Sequence, residues 1–282
     1  MNIGILQSAG IAGRIIEVAL NHPEHTDVFT PVIYSKENQN DKNVGSDLKF
    51  GNIQAVVVAP GSSTEFKFEG SVVIYIDDHL RLATAVPGKS IGEVSAALTK
   101  EVLTVCLRKC WMSLKRDFGL TMPRIGIVAL NDTIDEAEKN IIAPAVAEAT
   151  AEGIGVFGPY VLDDYLEENK FQHFDMTVVI SDEQAQKMLG MVSSDLRTRF
   201  IAGIPMVMAQ TDYSAAYEFD EADLEEPAQA LRDAVYNVMD ISRNRKVYDE
   251  AHKNPLPKLY HERRDDSEKV RFAVKKAVTP QA

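Results

Sequence analysis

The sequence lacks several features that would place it quickly in a class. No run approaches the ~18 consecutive apolar residues of a membrane-spanning helix, so we expect no membrane span. Only two cysteines occur, Cys106 and Cys110, and no further Cys or His pair with zinc-site spacing is present to complete a metal site. This favours packed thiols in the reducing cytoplasm. The net charge is −12, and this acidic balance argues against general nucleic-acid binding.

Familiar catalytic motifs are absent as well. The sequence has no G-x-S-x-G nucleophile elbow, no Walker phosphate loop and no H-E-x-x-H motif. Residues 153–158, GIGVFG, match G-x-G-x-x-G, but they end a predicted helix and open a strand, whereas a dinucleotide fingerprint does the opposite. Gly153 as a helix stop explains the match. His79 follows Asp77 and Asp78 without a second histidine nearby, which favours a surface residue over a metal ligand.

Apolar strands alternate with amphipathic helices along the chain. This alternation predicts an α/β fold with largely parallel sheets covered by helices on both faces. The predicted strands are NIGIL, FTPVIYS, IQAVVVAP, SVVIYI, LRLATAV, RIGIVALN, MTVVI and IPMVMAQ. The helix after the turn at 84–90 is predicted to bury one continuous apolar stripe, formed by Ile91, Val94, Leu98, Val102 and Val105.

Three turns stand where α/β proteins bind ligands, between a strand and a helix. Ser90 and Glu93 have capping-box spacing behind a Pro-Gly turn, and Ser181 and Gln184 repeat that spacing after MTVVI. QSAGIAGR, residues 7–14, is either an anion-binding glycine turn or simply a tight connection.

The C-terminal region differs in charge from the rest of the chain. Residues 243–282 carry 11 Lys and Arg against six Asp and Glu. This charged tail either packs against the acidic body or a second subunit, or forms a solvated terminus.

Several segments, in order, resemble the 4-hydroxythreonine-4-phosphate dehydrogenases of vitamin B6 synthesis. The matching blocks are SLKRDFGLTMPRIGIVALN, EKNIIAPAVAEATAEGIGVFGPYVLDDYL, FDMTVVISDEQ and AGIPMVMAQTDYSAA, with weaker likeness in QSAGIAGRIIEVAL and SSTEF. The resemblance implies a two-lobed isocitrate/isopropylmalate dehydrogenase-like fold, a homodimer, NAD and a divalent metal held by three histidines. The expected division is a first lobe from 1–60 plus approximately 205–242, a second lobe from 61–204, and the tail at 243–282.

The resemblance assigns metal-binding and ligand-binding roles to several positions, and most of these carry other residues in this sequence. The family's Thr-Thr-His-Leu-Pro corresponds to residues 84–87, its glycine-rich Asn-Pro-His loop to residues 131–133, and its Tyr-His-Asp-Gln to residues 181–184, all without histidine. Met208 stands where the family has an arginine. We therefore expect the divalent metal to be absent.

The resemblance and the turns leave a short set of candidate site residues. Candidate substrate contacts are Thr64, Lys89, Ser90 and Asp182, and candidate cofactor contacts are Asp212 and Ser214. The favoured interpretation is a family member without metal-dependent dehydrogenase activity that binds a small phosphorylated or anionic ligand, or that serves as a partner subunit. The alternative is an active NAD-dependent 4-hydroxythreonine-4-phosphate dehydrogenase whose rearranged site uses Asp182, Asp212 or His79.

Overall fold

The computed structural model describes residues 1–8, 10–22, 28–38, 41–62, 70–88, 91–131, 136–192, 195–213, 217–220 and 222–253. Within these residues ten strands form, and the predicted α/β class is confirmed. They are β1 (Asn2–Leu6), β2 (Thr30–Tyr34), β3 (Ala55–Val58), β4 (Val72–Asp77), β5 (Leu80–Val86), β6 (Arg124–Val128), β7 (Gly155–Tyr160), β8 (Met176–Ser181), β9 (Leu196–Ala202) and β10 (Met208–Tyr213).

Eight α-helices and one short 3-10 helix, Lys170–His173, occur in the same residues. The α-helices are α1 (Ile11–Leu20), α2 (Asp41–Phe50), α3 (Ile91–Ala97), α4 (Lys100–Arg116), α5 (Glu136–Ala151), α6 (Leu162–Glu167), α7 (Asp182–Val192) and α8 (Glu225–Lys253). As predicted, Gly153 ends the α5 region with a φ of 83°, a conformation that glycine adopts without steric cost. No helix in the described part of the chain has both the length and the apolar composition needed to cross a bilayer.

The strands form one sheet in the order β2-β1-β3-β10-β9-β4-β5-β8-β6-β7. Most neighbours are parallel, but β10 with β9, β9 with β4, and β4 with β5 are antiparallel. The first four strands in this order come from the segments predicted as the first lobe, and the other six from the segment predicted as the second. The division into two lobes itself stays a prediction. Because of the antiparallel strands at the centre, the parallel strands of the two halves run in opposite directions. Their carboxyl ends therefore lie at opposite ends of the sheet.

The two faces of the sheet are covered differently. On one face, α1, α4, α5 and α8 bury a single large apolar cluster that includes Ile5, Leu107 and Phe200. On the other face there are two separate clusters. One holds α6 and α7 against β5 and β8, and the other holds α2 against β1 and β3. The strip of sheet between these two clusters is polar, as described below.

The helix predicted after residue 90 is two helices. α3 ends at Ala97, and the Thr99 hydroxyl caps α4 by accepting a hydrogen bond from the Val102 amide at 3.2 Å. This break shifts the helical phase, so Val102 and Val105 are 39% and 43% exposed and the predicted stripe is wrong for both. The buried stripe of α4 is formed instead by Leu103, Cys106, Leu107, Cys110 and Leu114.

The predicted boundary of the charged tail at residue 243 falls inside α8, which continues to Lys253. Arg245 is buried there. Its Nε donates to Asp117 Oδ1 at 2.8 Å, and its guanidinium also donates to three carbonyls of the 204–206 turn. Residues 243–253 therefore belong to the folded body, and the rest of the predicted tail lies outside the described residues.

Candidate functional site

The described residues include only part of the predicted site. Thr64, Lys89, Ser90 and Ser214 lie outside them, so their candidate roles stay predictions. Asp182 and Asp212 are described. Both are half-buried, and they lie toward opposite ends of the central strands.

The carboxyl ends of β5, β8 and β6 lie side by side, because these three strands are neighbours in the sheet. Val86 pairs with Ser181 across β5 and β8. The Gly88 amide donates a 2.5 Å hydrogen bond to Asp182 Oδ2. The turn after β5 is therefore bound directly to the start of α7, and two positions that the resemblance assigns to metal histidines meet here.

The side chain of Gln184 links the end of β6 to the ends of β5 and β8. Its Oε1 accepts the amides of Ile180 and Ser181, and the Ser181 hydroxyl accepts the Gln184 amide at 3.2 Å. This is the capping box predicted from the sequence. The Gln184 Nε2 donates to the carbonyls of Ala129 and Leu130, just beyond β6. The glutamine side chain thus uses both its donor and its acceptor to hold the strand ends together.

The donors at these strand ends do not fit a three-histidine metal centre. Asp182 is the one carboxylate that the described residues place between β5 and β8, and it already accepts the Gly88 amide. The Gln184 amide is occupied by backbone groups. Across the described ranges, no group of three or more His, Cys, Asp or Glu side chains is arranged to hold a metal ion. Asp132 and Asp135 lie outside those ranges.

Met208 occupies a position where the resemblance places an arginine. It is 2% exposed and packs in the apolar cluster with Val56, its register partner on β3. A buried thioether cannot replace the charge of a guanidinium, so this position supplies no cation to a ligand.

Cationic side chains are found instead on β9, in the polar strip between the two apolar clusters. Arg199 lies between Tyr75 of β4 and Gln210 of β10 in the strand register. Arg197 lies one step along the same face. Its Nε donates to Asp212 Oδ2 at 3.0 Å, and its guanidinium lies 5.8 Å from the Tyr75 ring centre. Asp212 is therefore an ion-pair partner, with its side chain 19% exposed.

The Nε of Arg199 is buried and has no hydrogen-bond partner among the residues that the structure describes. Buried polar atoms are normally paired, so such an atom marks a place where a ligand or a water can bind. The neighbouring Tyr75 is 8% exposed, and burial raises the pKa of its hydroxyl. The charge of Arg199 opposes that rise, while Asp212 and Asp182 add to it. Both predicted carboxylates thus raise the pKa of the same tyrosine.

His79 does not join this surface. It is exposed in the turn between β4 and β5, and its amide donates to Asp77 Oδ1. Gly88 and Asp182 lie at the other end of β5, about 20 Å away at roughly 3.3 Å per strand residue. A rearranged site that combines His79 with Asp182 is therefore not formed by this fold.

The sequence analysis missed Tyr75, Arg197 and Arg199. The available signal was the alternation in LRTRFIA, where arginines at 197 and 199 share one face of a strand. That segment was not identified as a strand, and nothing in it shows that β4 and β10 are its neighbours.

Comparison with known proteins supports the relationship to the 4-hydroxythreonine-4-phosphate dehydrogenases that the sequence resembles. The family model described as pyridoxal phosphate biosynthetic protein PdxA matches residues 48–237. A 4-hydroxythreonine-4-phosphate dehydrogenase from Bacteroides thetaiotaomicron is 29% identical over 251 residues, covering 80% of this chain and 69% of that protein. One from Acidithiobacillus ferrooxidans is 28% identical over 174 residues. That match covers 60% of this chain, which spans only about half, 52%, of the relative's length.

Solved structures show the same fold at low sequence identity. A 4-hydroxythreonine-4-phosphate dehydrogenase from Burkholderia phymatum superposes with a TM-score of 0.62 at 16% identity, covering 84% of this chain and 98% of that one. Isocitrate dehydrogenase from Methylococcus capsulatus gives 0.53 at 13% identity, covering 86% and 87%. The predicted fold type is thus confirmed. Because the family model spans well over half of the sequence, this chain belongs to the PdxA family.

Proposed function

We propose that this PdxA-family protein binds a small phosphorylated or anionic ligand on the polar strip between its two apolar clusters, and that it does not catalyse metal-dependent dehydrogenation. The observation that carries the proposal is Arg199, whose buried Nε has no partner in the described part of the chain. A guanidinium binds carboxylate or phosphate oxygens through two parallel N–H donors, and such charge-assisted bonds are roughly twice as strong as neutral ones.

The proposed loss of dehydrogenation rests on the donors at the three strand ends. In that reaction a metal ion polarises the alcohol and stabilises the developing oxygen charge, which is worth several kcal/mol. Here Asp182 and Gln184 are engaged with backbone groups, and Met208 is buried among apolar side chains. Among the residues that the structure describes, no cationic side chain lies at these strand ends to take the place of a metal ion.

The surrounding side chains support binding more than bond making. Tyr75 offers a hydroxyl beside Arg199, and Gln210 flanks it on β10. Burial keeps the Tyr75 hydroxyl protonated at neutral pH, so it acts as a donor and not as a base. Thr64, Lys89 and Ser90 are proposed as further contacts to the anion.

NAD is the cofactor that family membership suggests, and it supplies a hydride acceptor when bound. Asp212 and Ser214 are the residues proposed to contact it. Arg197 occupies Asp212 Oδ2, but the side chain keeps 19% of its surface exposed, which leaves room for a ligand hydroxyl. Any cofactor at this position must therefore share Asp212 with Arg197.

Calorimetric titration with 4-hydroxythreonine 4-phosphate and with inorganic phosphate tests the binding proposal. We expect binding by the full chain and a loss of at least about tenfold in affinity for Arg199→Gln, since a buried charged hydrogen bond is worth ~1.5–3 kcal/mol. Arg243→Gln is the matched control, because Arg243 is 66% exposed and forms its ion pair with nearby Asp240. Equal affinity of Arg199→Gln and the native chain contradicts the proposal.

A second candidate function, an active NAD-dependent 4-hydroxythreonine-4-phosphate dehydrogenase, is favoured by family membership itself. It requires a ligand set that includes residues outside the described ranges, such as Asp132. Under this alternative, Asp132→Asn removes NADH formation and leaves phosphate affinity unchanged. Under our proposal there is no NADH formation to lose.

We also propose a homodimer that works in the cytoplasm. Val102, Val105 and Met112 are exposed on one side of α4, which suits an apolar contact with a second copy. The two cysteines are free thiols, as a reducing compartment requires. Sedimentation of the native chain beside Val105→Glu tests the dimer, and a monomer for both contradicts it. A chain ending at residue 253 tests whether the rest of the charged tail contributes to dimer formation.

A further inference from the structure

A polar cavity lies at the end of the central strands where β4 turns into β5. It has a volume of about 310 Å³ and is enclosed by the β4–β5 turn, the start of β9 and the side of α8. Its lining includes Asp77, Asp78, Arg81, Thr198 and Asn237. Asn237 Nδ2 donates to the Thr198 hydroxyl at 3.0 Å, so α8 is fixed against β9 at this wall.

Arg81 is the unusual residue of this cavity. Its Nε is buried, and no described residue accepts a hydrogen bond from it. Its Nη1 reaches the Asp175 carbonyl only at 3.5 Å. The guanidinium lies 4.8 Å from the centre of the Phe118 ring, which supports it from one side. Burial lowers the pKa of Arg81 below its ordinary value, and the charge of Asp175 offsets this only in part. One buried N–H donor of this guanidinium therefore has no acceptor among the described residues.

Carboxylates surround the same cavity. Asp77, Asp78 and Asp233 all line it, and Asp78 is exposed at the turn. Asp77 Oδ1 accepts the His79 amide, and Asp233 Oδ1 accepts the Gln229 side-chain amide. Arg197 also contributes to the wall, but its Nε is bound to Asp212. The cavity thus combines two guanidinium groups, of which Arg81 keeps a buried donor without an acceptor among the described residues, with three negative groups.

We propose that this cavity binds a small zwitterion of the α-amino acid class. The ligand carboxylate binds Arg81, and the ligand ammonium group lies among the carboxylates of Asp77, Asp78 and Asp233. A simple anion is disfavoured because the aspartates repel it, and a simple cation is disfavoured because it meets Arg81. A molecule that carries both charges a few ångströms apart satisfies both sets of groups.

This site is separate from the one proposed for the anion. Arg81 and Thr198 both pair with Ile76 in the strand register and lie on the α8 face, whereas Arg199 alternates to the other face. Arg197, on the Arg199 face, borders both sites. The cavity also lies at the end of β5 opposite Gly88 and Asp182. Different variants test the two sites, Asp78→Asn for this cavity and Arg199→Gln for the polar strip, so the two proposals fail independently.

Calorimetric titration of the full-length protein tests this inference. The probes are L-serine and L-glutamine, with L-lactate as the carboxylate-only control and ethanolamine as the amine-only control. We expect the amino acids to bind at least about tenfold more tightly than either control. Lactate or ethanolamine binding as tightly as the amino acids, or no binding of either amino acid up to about 10 mM, overturns the proposal.

Variants locate the site. Arg81→Gln and Asp78→Asn should each weaken amino-acid binding by about tenfold or more. Asp78 is exposed at a turn, so its replacement leaves the fold intact and keeps the test valid even where Arg81→Gln does not fold. Asp163→Asn is the control. Asp163 is an exposed residue of α6 that pairs with Lys187 of α7, and both helices pack on the sheet face opposite α8. Unchanged affinity in Asp78→Asn contradicts the assignment.

Discussion

Replacing Arg245 by methionine should strongly destabilise the protein. Arg245 and Asp117 form an ion pair in which the side chains are 7% and 3% exposed. Methionine fills most of the volume but leaves the Asp117 carboxylate buried. Of the described side chains, the Ser113 hydroxyl, 2.7 Å away, then remains as its donor. Removing one partner of a buried pair typically costs ~3–5 kcal/mol. The carbonyls of the 204–206 turn lose a donor as well.

Urea unfolding followed by circular dichroism measures this cost as a change in the free energy of unfolding. Arg243→Met is the matched control on the same helix, and we expect it to cost less than about 0.5 kcal/mol because Arg243 is exposed. Adding Asp117→Leu to Arg245→Met should recover much of the loss, since the orphaned charge is then removed. A loss below about 1 kcal/mol for Arg245→Met, or no recovery in the double variant, refutes this reasoning.

The ion pair between Arg245 and Asp117 also predicts the effect of shortening the chain, and two further substitutions test Gln184 and Asp249. A chain that ends at residue 242 loses Arg245 and should unfold far more easily than one that ends at residue 253, as thermal melting will show. Gln184→Leu leaves four backbone groups at the strand ends without their side-chain partner and should cost ~2–5 kcal/mol in urea unfolding; a neutral result contradicts its proposed joining role. Arg116 lowers the pKa of Asp249, first by hydrogen bonding and then by its charge. The stabilisation from this pair is therefore complete above the unfolded pKa of ~4 and disappears as the pH falls through the lower folded value. Asp249→Asn should accordingly be less stable than the native chain by under ~1 kcal/mol near pH 7, with the difference vanishing near pH 2; a difference that grows on acidification contradicts the assignment.

The elements that sequence predicted best are those whose signal is local. RIGIVALN and MTVVI form β6 and β8 because each is a short apolar run that must be buried on both faces. Ser181 and Gln184 form their capping box because its hydrogen bonds join residues only three apart. Such features depend little on the rest of the chain.

The features that sequence missed depend on long-range contacts. The apolar spacing from Ile91 to Val105 fits one helix, but Thr99 caps a second helix and turns Val102 and Val105 outward. Arg199 alternates with apolar residues as in many exposed strands. Its importance comes from β4 and β10 on either side, and those neighbours are far away in sequence.

The measurement that tests the central claim most directly is the initial rate of NADH formation. The full chain is assayed at saturating 4-hydroxythreonine 4-phosphate and NAD, with magnesium, manganese, zinc or cobalt supplied in turn, beside the Bacteroides thetaiotaomicron relative. Our account predicts no metal-dependent turnover while the phosphorylated substrate still binds. Turnover within about a hundredfold of the relative, a barrier difference of roughly 2.7 kcal/mol, contradicts the account and establishes a rearranged dehydrogenase.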